Sequence, residues 1–491
     1  MVHRRRPGPS PGGRWPDAAV VVVVVLATVL ATVLAATALP RAGHAAVPTA
    51  TAGGHSGGDP LFPTAGNTGY DVSHYTVALR YLAGGRIEGT TTVTARAAHR
   101  LSSFSLDLQG LRVHSVRVDG SGAGFRRLGA KLVVTPVRPV RGRFTATIRY
   151  GGRPVPIVDA DGTREGWVAT DDGATVVAQP LGAMTWFPDN DTPRDKATFT
   201  LRVSAPSGLA VAGNGRLAGR RTRGRVTTWT WRQPVPMAPY LATVSIGRFR
   251  VVRTSLRTTS GRRLPAWSFV DPRFGSQRVV TASVPGVLRF LERRFGPYPM
   301  SSAGVVVDDL RVGYALETQD RPVFDGPPDA STLVHEVAHQ WYGDSVTVRS
   351  WGDIWLSEAF ATYAEQMWQA AHGGPSVAQW FRDLYAEHPA DSALWRPAPT
   401  ALTDPADLFG PPVYERGAMT LQVLRERVGD EAFFTVLRRW AADHRHGHGT
   451  TAQLTALAER VSGQDLDVLF RDWLSVPGRP EGYAEPPTAG G

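Results

Sequence analysis

The chain has 491 residues, of which 42% are hydrophobic and 20% are charged, and it contains no cysteine. This length predicts about two to four domains with extensive hydrophobic cores. The composition excludes collagen-like, coiled-coil and wholly disordered chains, and the absence of cysteine excludes disulfides, thiol nucleophiles and cysteine-ligated metals. The net charge is +11, with 54 Lys and Arg against 43 Asp and Glu. Because the arginines are spread over the whole sequence, the pattern does not indicate nucleic-acid binding.

The first 45 residues have the features of an export signal. Arg4, Arg5, Arg6 and Arg14 precede an uncharged apolar run over residues 18–39, and small residues follow it. Because the run is long enough to span a bilayer, it is either part of a cleaved signal peptide or an uncleaved N-terminal membrane anchor. Both interpretations predict an exported protein, secreted or anchored at the cell surface with the rest of the chain outside.

The next part of the chain has the pattern of a β domain. Residues 46–66 are rich in Ala, Thr, Pro, Gly and His, which predicts a flexible linker. Over residues 67–255 apolar and polar residues alternate, for example from Tyr75 to Tyr81, and Gly and Pro interrupt the runs. We therefore expect an N-terminal domain built as an antiparallel saddle or sandwich of β-sheets.

After residue 255 the apolar residues have helical spacing. The segments that carry this spacing are 279–295, 331–342, 358–371, 414–428, 431–443 and 451–461. The expected fold class is therefore α+β and multidomain, with the β domain followed by a mainly helical domain over residues 256–478 that carries the chemistry. The remaining residues, 479–491, are rich in Pro and Gly, and we predict a disordered tail.

A metal-binding motif lies within the helical half, where residues 335–339 read His-Glu-Val-Ala-His. On a helix, His335 and His339 lie one turn apart on the same face, so both imidazoles can bind one metal ion. Glu336 then lies beside the metal, where its carboxylate can accept a proton from a bound water. The motif predicts a zinc site, and two ordinary surface histidines on a helix are the alternative.

The third ligand distinguishes the classes of zinc peptidase. Metzincins have a Gly three residues and a third His six residues after the second His, but these positions here are Tyr342 and Ser345. Gluzincins take a Glu from a following helix, and Glu358 lies nineteen residues after His339 at the start of a helical pattern. Two imidazoles and one carboxylate leave one position of Zn²⁺ open for water, as in catalytic sites. We therefore expect one Zn²⁺ per chain, bound by His335, His339 and Glu358.

A second metal-binding interpretation concerns residues 443–448, which read Asp-His-Arg-His-Gly-His. Histidine-rich tracts can bind metal ions. This tract lies between two helical patterns and has no defined ligand spacing, so we interpret it as a solvated loop.

A family resemblance rests on residues 335–344, which read His-Glu-Val-Ala-His-Gln-Trp-Tyr-Gly-Asp, and on residues 355–358, which read Trp-Leu-Ser-Glu. Together they resemble the aminopeptidase N family of gluzincin metallopeptidases, over about residues 70 to 475. The resemblance implies a thermolysin-like catalytic domain after the β domain. Larger members of the family have a further helical C-terminal domain. Since the pattern here ends near Trp473 and Leu474, the chain resembles the short bacterial forms without it.

Residues 315–318, which read Ala-Leu-Glu-Thr, resemble the Gly-Ala-Met-Glu-Asn exopeptidase motif of that family. The Glu of the family motif binds the free α-amino group of the substrate, and the matching residue here is Glu317. Tyr314, Leu316 and Thr318 depart from the family's Gly, Met and Asn. A carboxylate near a metal centre suits an ammonium ligand.

Two further residues are assigned by the resemblance. Residues 413–417, Val-Tyr-Glu-Arg-Gly, resemble the family's Tyr-Glu-Lys-Gly segment, so Tyr414 matches the tyrosine that hydrogen-bonds the oxyanion. On local grounds alone, a tyrosine at the start of an amphipathic helix is more often a core residue. Residues 179–191 resemble a Gln-rich stretch that leads to Phe-Pro-x-x-Asp, and Gln179 matches a glutamine that helps bind the substrate N-terminus.

The resemblance implies a zinc-dependent aminopeptidase that acts on peptides with a free N-terminus. In this hypothesis Glu336 is the general base, Tyr414 stabilises the oxyanion, and Glu317 with Gln179 anchors the α-ammonium group. Two alternatives remain from other classes. A zinc endopeptidase of thermolysin type would cleave N-blocked peptides, whereas a catalytically silent cell-surface module would bind without turnover.

Overall fold

The computed structural model describes residues 49–159, 162–275 and 278–481. The predicted export signal and membrane anchor therefore lie outside the described residues, as do residues 482–491 of the predicted disordered tail. Among the helices of the described residues, none is both long enough and apolar enough to cross a membrane.

The N-terminal half forms strands because its apolar residues alternate with polar ones, so each strand has one buried and one solvent-facing side. In the described residues, the strands up to residue 152 are β1 Thr51–Ala52, β2 Tyr70–Leu82, β3 Arg86–Asp107, β4 Arg112–Val118, β5 Ser121–Gly122, β6 Gly124–Leu128, β7 Lys131–Thr135 and β8 Val140–Gly152. They are followed by β9 Ile157–Val158, β10 Arg164–Ala169, β11 Ala174–Val177, β12 Ala197–Pro206, β13 Ala210–Gly213, β14 Arg216–Arg223, β15 Val226–Met237 and β16 Val244–Gly247.

These strands form two sheets with a shared core. The larger sheet has the order β14–β15–β12–β2–β3–β8–β4–β5; β1 and β7 also pair with β3, and β6 pairs with β7. Its main strands pair antiparallel except β12 and β2, which run parallel. The smaller sheet has the order β13–β16–β11–β10–β9. The buried sides of both sheets contribute to one continuous hydrophobic core, which confirms the predicted β domain.

The catalytic half contains a sheet that the helical pattern does not indicate. Its strands are β17 Arg250–Arg257, β18 Arg263–Val270, β19 Val306–Asp308, β20 Ala315–Leu316 and β21 Val323–Asp325, and a separate pair consists of β22 Thr347–Val348 and β23 His448–Gly449. Strand β17 crosses the predicted boundary between residues 255 and 256, because it pairs with β18 along its whole length. Strand pairing therefore moves the start of the catalytic domain to residue 250.

The helices of this half are α1 Arg278–Phe295, α2 Ala330–Ala338, α3 Trp355–Ala371, α4 Val377–Glu387, α5 Gly417–Val428, α6 Asp430–Asp443, α7 Thr451–Ser462 and α8 Asp467–Phe470. Two departures from the predicted segments matter for the site. Helix α2 ends at Ala338 and not at residue 342, and a π-helical turn, Pro412–Arg416, precedes α5. The predicted order of a β domain and a mainly helical domain is confirmed.

The predicted flexible linker differs from the structure, which packs it against the protein from strand β1 onward. Strand β1 pairs with β3, and the buried Asp59 carboxylate accepts hydrogen bonds from the Ser350 hydroxyl and the Trp351 amide, both at 2.8 Å. Because a buried carboxylate needs such partners, Asp59 ties this segment to the catalytic domain. The Ala/Thr/Pro/Gly composition of this segment does not predict these hydrogen bonds.

The predicted tail is also ordered at its start. Arg479 donates a hydrogen bond to the carbonyl of Tyr385 at 2.7 Å, and its guanidinium lies 3.9 Å from the centre of the Tyr385 ring. The Tyr385 hydroxyl in turn donates to the carbonyl of Pro480 at 2.6 Å. These contacts correct the predicted start of the tail, since cation–π and hydrogen-bond contacts hold residues 479 and 480 against helix α4.

Candidate active site

Helix α2 carries the two predicted histidine ligands. The helix begins because the Asp329 side chain accepts a hydrogen bond from the Thr332 amide at 2.8 Å, which caps its N-terminus. One turn separates His335 from His339, and their ring centres lie 4.7 Å apart. Local sequence alone therefore places both imidazoles on one side of the helix.

Helix α3 brings Glu358 to the same point. Glu358 Oε2 lies 3.4 Å from the Nε2 atoms of both His335 and His339. In a tetrahedral zinc site with ligand bonds of about 2.0–2.1 Å, neighbouring ligand atoms are about 3.3 Å apart. The donor types and their spacing thus fit Zn²⁺, and the predicted ligand set is brought together by the fold.

The outer ring nitrogens of both histidines have partners that orient the rings. His335 Nδ1 lies 2.6 Å from Glu365 Oε1, and His339 Nδ1 lies 3.0 Å from the carbonyl oxygen of Tyr342. Both partners are acceptors, so each imidazole, when neutral, carries its proton on Nδ1 and keeps the Nε2 lone pair for a metal. Glu365 is not among the residues predicted from the sequence. Its position seven residues after Glu358, two turns along the same face of α3, was the available signal.

The turn after α2 requires a glycine. Gly343 has a φ of +122°, and a Cβ at this position would lie only 3.1 Å from His339 Nδ1. Glycine therefore lets the backbone turn back against the imidazole ring without displacing it. This explains the early end of the helix and the proximity of the Tyr342 carbonyl to His339.

Glu336 lies beside the predicted metal ligands without a fixed partner. Its side chain is buried, and its Oε2 atom has no hydrogen-bond partner among the described residues. Burial raises the pKa of Glu336 to about 8. Oxygens of Glu336 and Glu317 and a ring nitrogen of His339 all lie within 4.8 Å of one another. The predicted base and the predicted amine anchor are therefore neighbours.

Glu317 is held by both domains. Gln179, from the β domain, donates its amide Nε2 to Glu317 Oε1 at 2.8 Å. Gln340 Nε2, just after helix α2, donates to the Glu317 backbone carbonyl at 3.1 Å, and its Oε1 accepts from the Asp320 amide at 2.8 Å. Burial raises the pKa of Glu317. The structure thus brings Gln179 and Glu317 together, and it adds Gln340 as a residue that ties the Glu317 loop to the metal-binding helix.

Tyr414 enters the site from the π-helical turn before α5. Its ring lies nearly parallel to that of His335, with the centres 6.0 Å apart. Burial and the negative charges of Glu358, Glu317 and Glu336 raise the pKa of its hydroxyl, so Tyr414 stays protonated as a donor. A Cβ on Gly417 would lie 2.6 Å from the Ala359 side chain, so glycine permits the close packing of α5 on α3 that positions this turn.

The site has an excess of buried carboxylates. Glu317, Glu336 and Glu358 converge on two imidazoles, and Glu365 lies behind one of them. Burial alone would raise the pKa of Glu358, but the charges and hydrogen bonds of His339 and His335 lower it to about 2. Such a site favours cations, and its two parts suit a divalent metal ion and an ammonium group.

The histidine-rich tract does not form a comparable centre. Among the described residues, the groups of acidic or histidine side chains close enough to share an ion do not include it. The prediction of a solvated loop is also wrong in part, because His448 and Gly449 pair with β22. His448 Nε2 lies 3.1 Å from the Pro193 carbonyl, which fixes the end of this tract.

Comparisons with known proteins identify related domains and a related structure. Residues 72–241 match the Peptidase M1 N-terminal domain, and residues 325–473 match the Peptidase family M1 domain. The structure of an M1 zinc metallopeptidase from Deinococcus radiodurans is 30% identical, with a TM-score of 0.80, and the match covers 88% of this chain and 100% of that chain. A mutant of the M1 zinc metallopeptidase from that organism, solved with a Tyr-Ser-Ala substrate, is 30% identical with a TM-score of 0.79, over 87% of this chain and 99% of that chain.

A curated relative gives a more distant match. Aminopeptidase N of Streptomyces lividans is 26% identical over 435 residues, which cover 81% of this chain and 49% of that protein. The chain thus spans about half the length of the curated relatives it matches.

Proposed function

Because the chain belongs to the M1 family of zinc metallopeptidases, we propose that it is an aminopeptidase that releases the N-terminal residue of peptides. One observation carries this proposal: Glu317 and Glu336 place carboxylate oxygens within 4.8 Å of each other beside His339. In a peptide, the α-amino nitrogen and the first carbonyl carbon are two bonds apart, about 2.5 Å. An ammonium held by Glu317 therefore presents the first peptide bond to Glu336.

His335, His339 and Glu358 are the residues that would hold the zinc ion. When bound, zinc lowers the pKa of a coordinated water towards neutrality and polarises the substrate carbonyl. The protein's own contribution begins with Glu365 and the Tyr342 carbonyl, which keep both imidazoles in the tautomer that binds metal.

The remaining side chains handle the substrate. Glu317 binds the α-ammonium through charge-assisted hydrogen bonds, while Gln179 holds the Glu317 carboxylate in place. Glu336 has a free, buried oxygen with which to accept the proton of the attacking water and return it to the leaving amine. Tyr414 donates its hydroxyl to the developing oxyanion. Water attack at the first carbonyl and release of one amino acid follow.

The relatives support a peptide substrate with a free N-terminus. The Deinococcus radiodurans enzyme was solved with a tripeptide substrate, and the Streptomyces lividans relative is an aminopeptidase N. The buried, hydrogen-bonded Glu317 also opposes an N-acetylated substrate, because an acetyl group removes the positive charge and leaves the carboxylate unpaired. This charge argument favours an aminopeptidase over an endopeptidase of thermolysin type.

The test compares release of the anilide from alanyl or arginyl anilides and from their N-acetylated forms, with and without a chelator. We expect chelator-sensitive cleavage that is fast for the free-amine substrates and very slow for the N-acetylated forms. Equal cleavage of both forms would indicate an endopeptidase and contradict the proposal. If the zinc-loaded protein cleaves none of a broad panel of amino-acid anilides, the result would favour a binding module without catalytic activity.

A matched pair of variants sharpens this test. Glu317→Gln should reduce cleavage of the free-amine anilide, whereas Glu387→Gln, an exposed carboxylate on α4, should leave it unchanged. An equal loss in both variants would contradict the role of Glu317.

We also propose that the protein works outside the cytoplasm, either secreted or membrane-anchored through residues 18–39. The support is the sequence alone: arginines before residue 15, an apolar run, and small residues after it. Cell fractionation followed by N-terminal sequencing tests this. A new N-terminus near residue 46 indicates a cleaved signal, an intact leader in the membrane fraction indicates an anchor, and an intact chain in the cytoplasm would contradict export.

A further inference from the structure

The solvent-facing side of the larger β-sheet carries a groove unrelated to the active site. Two hollows of about 630 and 510 Å³ lie on this side, and both are lined by Arg202 and Thr228. Their lining residues extend from β4 through β8, β3, β2, β12 and β15 to β14. With strands about 4.8 Å apart, seven strands give a groove about 29 Å long. We refer to the two hollows together as the sheet groove.

Strand register explains the shape of the sheet groove. One row across the sheet runs from Thr230 to Arg202, Ala78, Thr90 and Arg149. Short side chains therefore lie between the long arginines, and the difference in length makes a hollow with cationic ends. A second row, through Thr228 and Ser204 to Arg80, repeats this arrangement.

The sheet groove carries a strong excess of positive charge. Five arginines and a single carboxylate, Glu88, lie on this side of the sheet; the arginines are Arg80, Arg149, Arg202, Arg221 and Arg223. Glu88 pairs with Arg80 at 3.4 Å, but both side chains are 60% exposed, so this pair contributes little. Clustered cations in a concave surface concentrate the potential and attract anions.

Most of these arginines are available to a ligand. Arg220 also borders the sheet groove, but it is paired with Trp229 and lies over the Trp229 ring at 4.6 Å, on the other side of the sheet. Arg149, Arg202, Arg221 and Arg223 are exposed, and none of these four forms an ion pair with a carboxylate in the described part of the chain. Their guanidinium groups therefore face solvent with unused donors.

The uncharged lining also suits phosphate oxygens. Ser204 and Thr228 share a hydrogen bond of 2.8 Å on the floor of the sheet groove, and Thr90 lies nearby. Hydroxyl and guanidinium donors are the side chains that most often contact phosphate groups. The aromatic ring in the lining, that of Tyr150, is only 1% exposed and offers no surface for base stacking.

We propose that the sheet groove binds a linear polymer with repeated phosphate groups. A narrow chain reaches the hydroxyls on the floor and places successive phosphates beside Arg149, Arg202 and Arg221, whereas a flat bilayer contacts only the rim. Because none of these residues belongs to the active site, binding holds the enzyme on the polymer without changing peptide hydrolysis.

The test measures binding of the purified full chain to labelled long-chain inorganic polyphosphate by fluorescence anisotropy, over a series of salt concentrations. The variant is Arg149→Gln with Arg202→Gln, and the matched control is Arg382→Gln with Arg427→Gln, two exposed arginines on α4 and α5. We expect the groove variant to bind at least about tenfold more weakly, with a salt slope smaller by about 1.5, and the control to bind as the wild type does. Unchanged anilide hydrolysis in both shows that they are folded.

Several outcomes would overturn the proposal. If the control variant binds polyphosphate as weakly as the groove variant, the net charge of the protein explains the binding and the groove does not. If the wild type does not bind polyphosphate at low salt, the proposal is wrong. Equally tight binding of polyglutamate would show that phosphate is not selected. Tighter binding of phosphatidylglycerol vesicles than of polyphosphate, lost in the groove variant, would assign this side of the sheet to a membrane surface.

Discussion

The active site and the sheet groove concentrate charge in opposite ways. In the active site, Glu317, Glu336 and Glu358 are buried and face two imidazoles. In the sheet groove, arginines from four strands are exposed around a floor of hydroxyl groups. The buried carboxylates suit compact cations that are fully desolvated, whereas the exposed arginines suit an extended anion that keeps part of its hydration.

The comparison shows that electrostatic energy depends on burial as much as on charge. Where a buried charge has a partner, the loss of that partner leaves the charge uncompensated and has a strong effect. Exposed arginines are screened by salt, so each contributes modestly and their effects accumulate. Variants in the active site should therefore have large, local effects on turnover, and variants in the sheet groove small, salt-dependent effects on binding.

The largest expected effect comes from Glu336→Gln. Removing the proton acceptor should lower kcat about a hundred- to ten-thousandfold, while the bound zinc stays stoichiometric because the three ligands are intact. Steady-state kinetics and metal analysis of the same sample measure both quantities. Polyphosphate binding by this variant should equal that of the wild type, and near-normal turnover would refute Glu336 as the base.

Glu317→Gln should have the next largest effect. Loss of a charged hydrogen-bond partner costs about 1.5–3 kcal/mol, which corresponds to a decrease in kcat/KM of about 10- to 150-fold for a free-amine substrate. The slow cleavage of an N-acetylated substrate should not fall in parallel, because that substrate lacks the ammonium group. A parallel fall for both substrates would mean that Glu317 only supports the fold.

Glu365→Gln tests whether the carboxylate behind His335 orients this zinc ligand without taking part in catalysis. Loss of the carboxylate behind His335 should weaken zinc binding about 10- to 100-fold, as judged by competition with a chelator of known affinity. Activity at saturating zinc should recover most of the wild-type value. Glu387→Gln is the control with the same change of charge, and an unchanged zinc affinity in Glu365→Gln would remove the proposed role.

The smallest effect concerns Lys196, a half-buried residue that links the two domains. Its Nζ donates to the carbonyls of Asp344 at 2.7 Å, Ser345 at 3.0 Å and Gly447 at 3.2 Å. Burial lowers the pKa of Lys196 to about 7, although the negative charge of Asp344 opposes the shift. The folded state therefore loses its proton at lower pH than the unfolded chain does.

For this reason the wild type should gain stability towards unfolding as the pH rises from about 6 to about 9. Above pH 7 the folded lysine is neutral, whereas the unfolded lysine keeps its proton up to about 10.4. Lys196→Met should lose this part of the gain, as measured by urea denaturation at both pH values. Equal gains in the wild type and the variant would show that Lys196 keeps its charge when buried.

The sequence predicted the active site best where helix geometry connects the residues. His335, Glu336 and His339 follow from a spacing of four residues on a helix, and the structure has that helix. Glu317, Gln179 and Tyr414 came only from resemblance, because they lie on segments that no local periodicity relates to the metal. The role of Lys196 was not predicted, because its position just before a strand gives no sign of the three carbonyl oxygens that it contacts in the fold.

The sequence by itself determined the two-domain order and the zinc motif, and its resemblance to a known family indicated the class of peptidase. The domain order and the motif depend on periods of two and 3.6 residues, which are local properties of strands and helices. Only the tertiary structure decided how Glu317 meets Gln179, how Glu365 supports His335, and how scattered arginines become one groove. Pairing between distant strands and packing between helices set those distances, and a one-residue change of register would send Arg202 to the other side of its sheet.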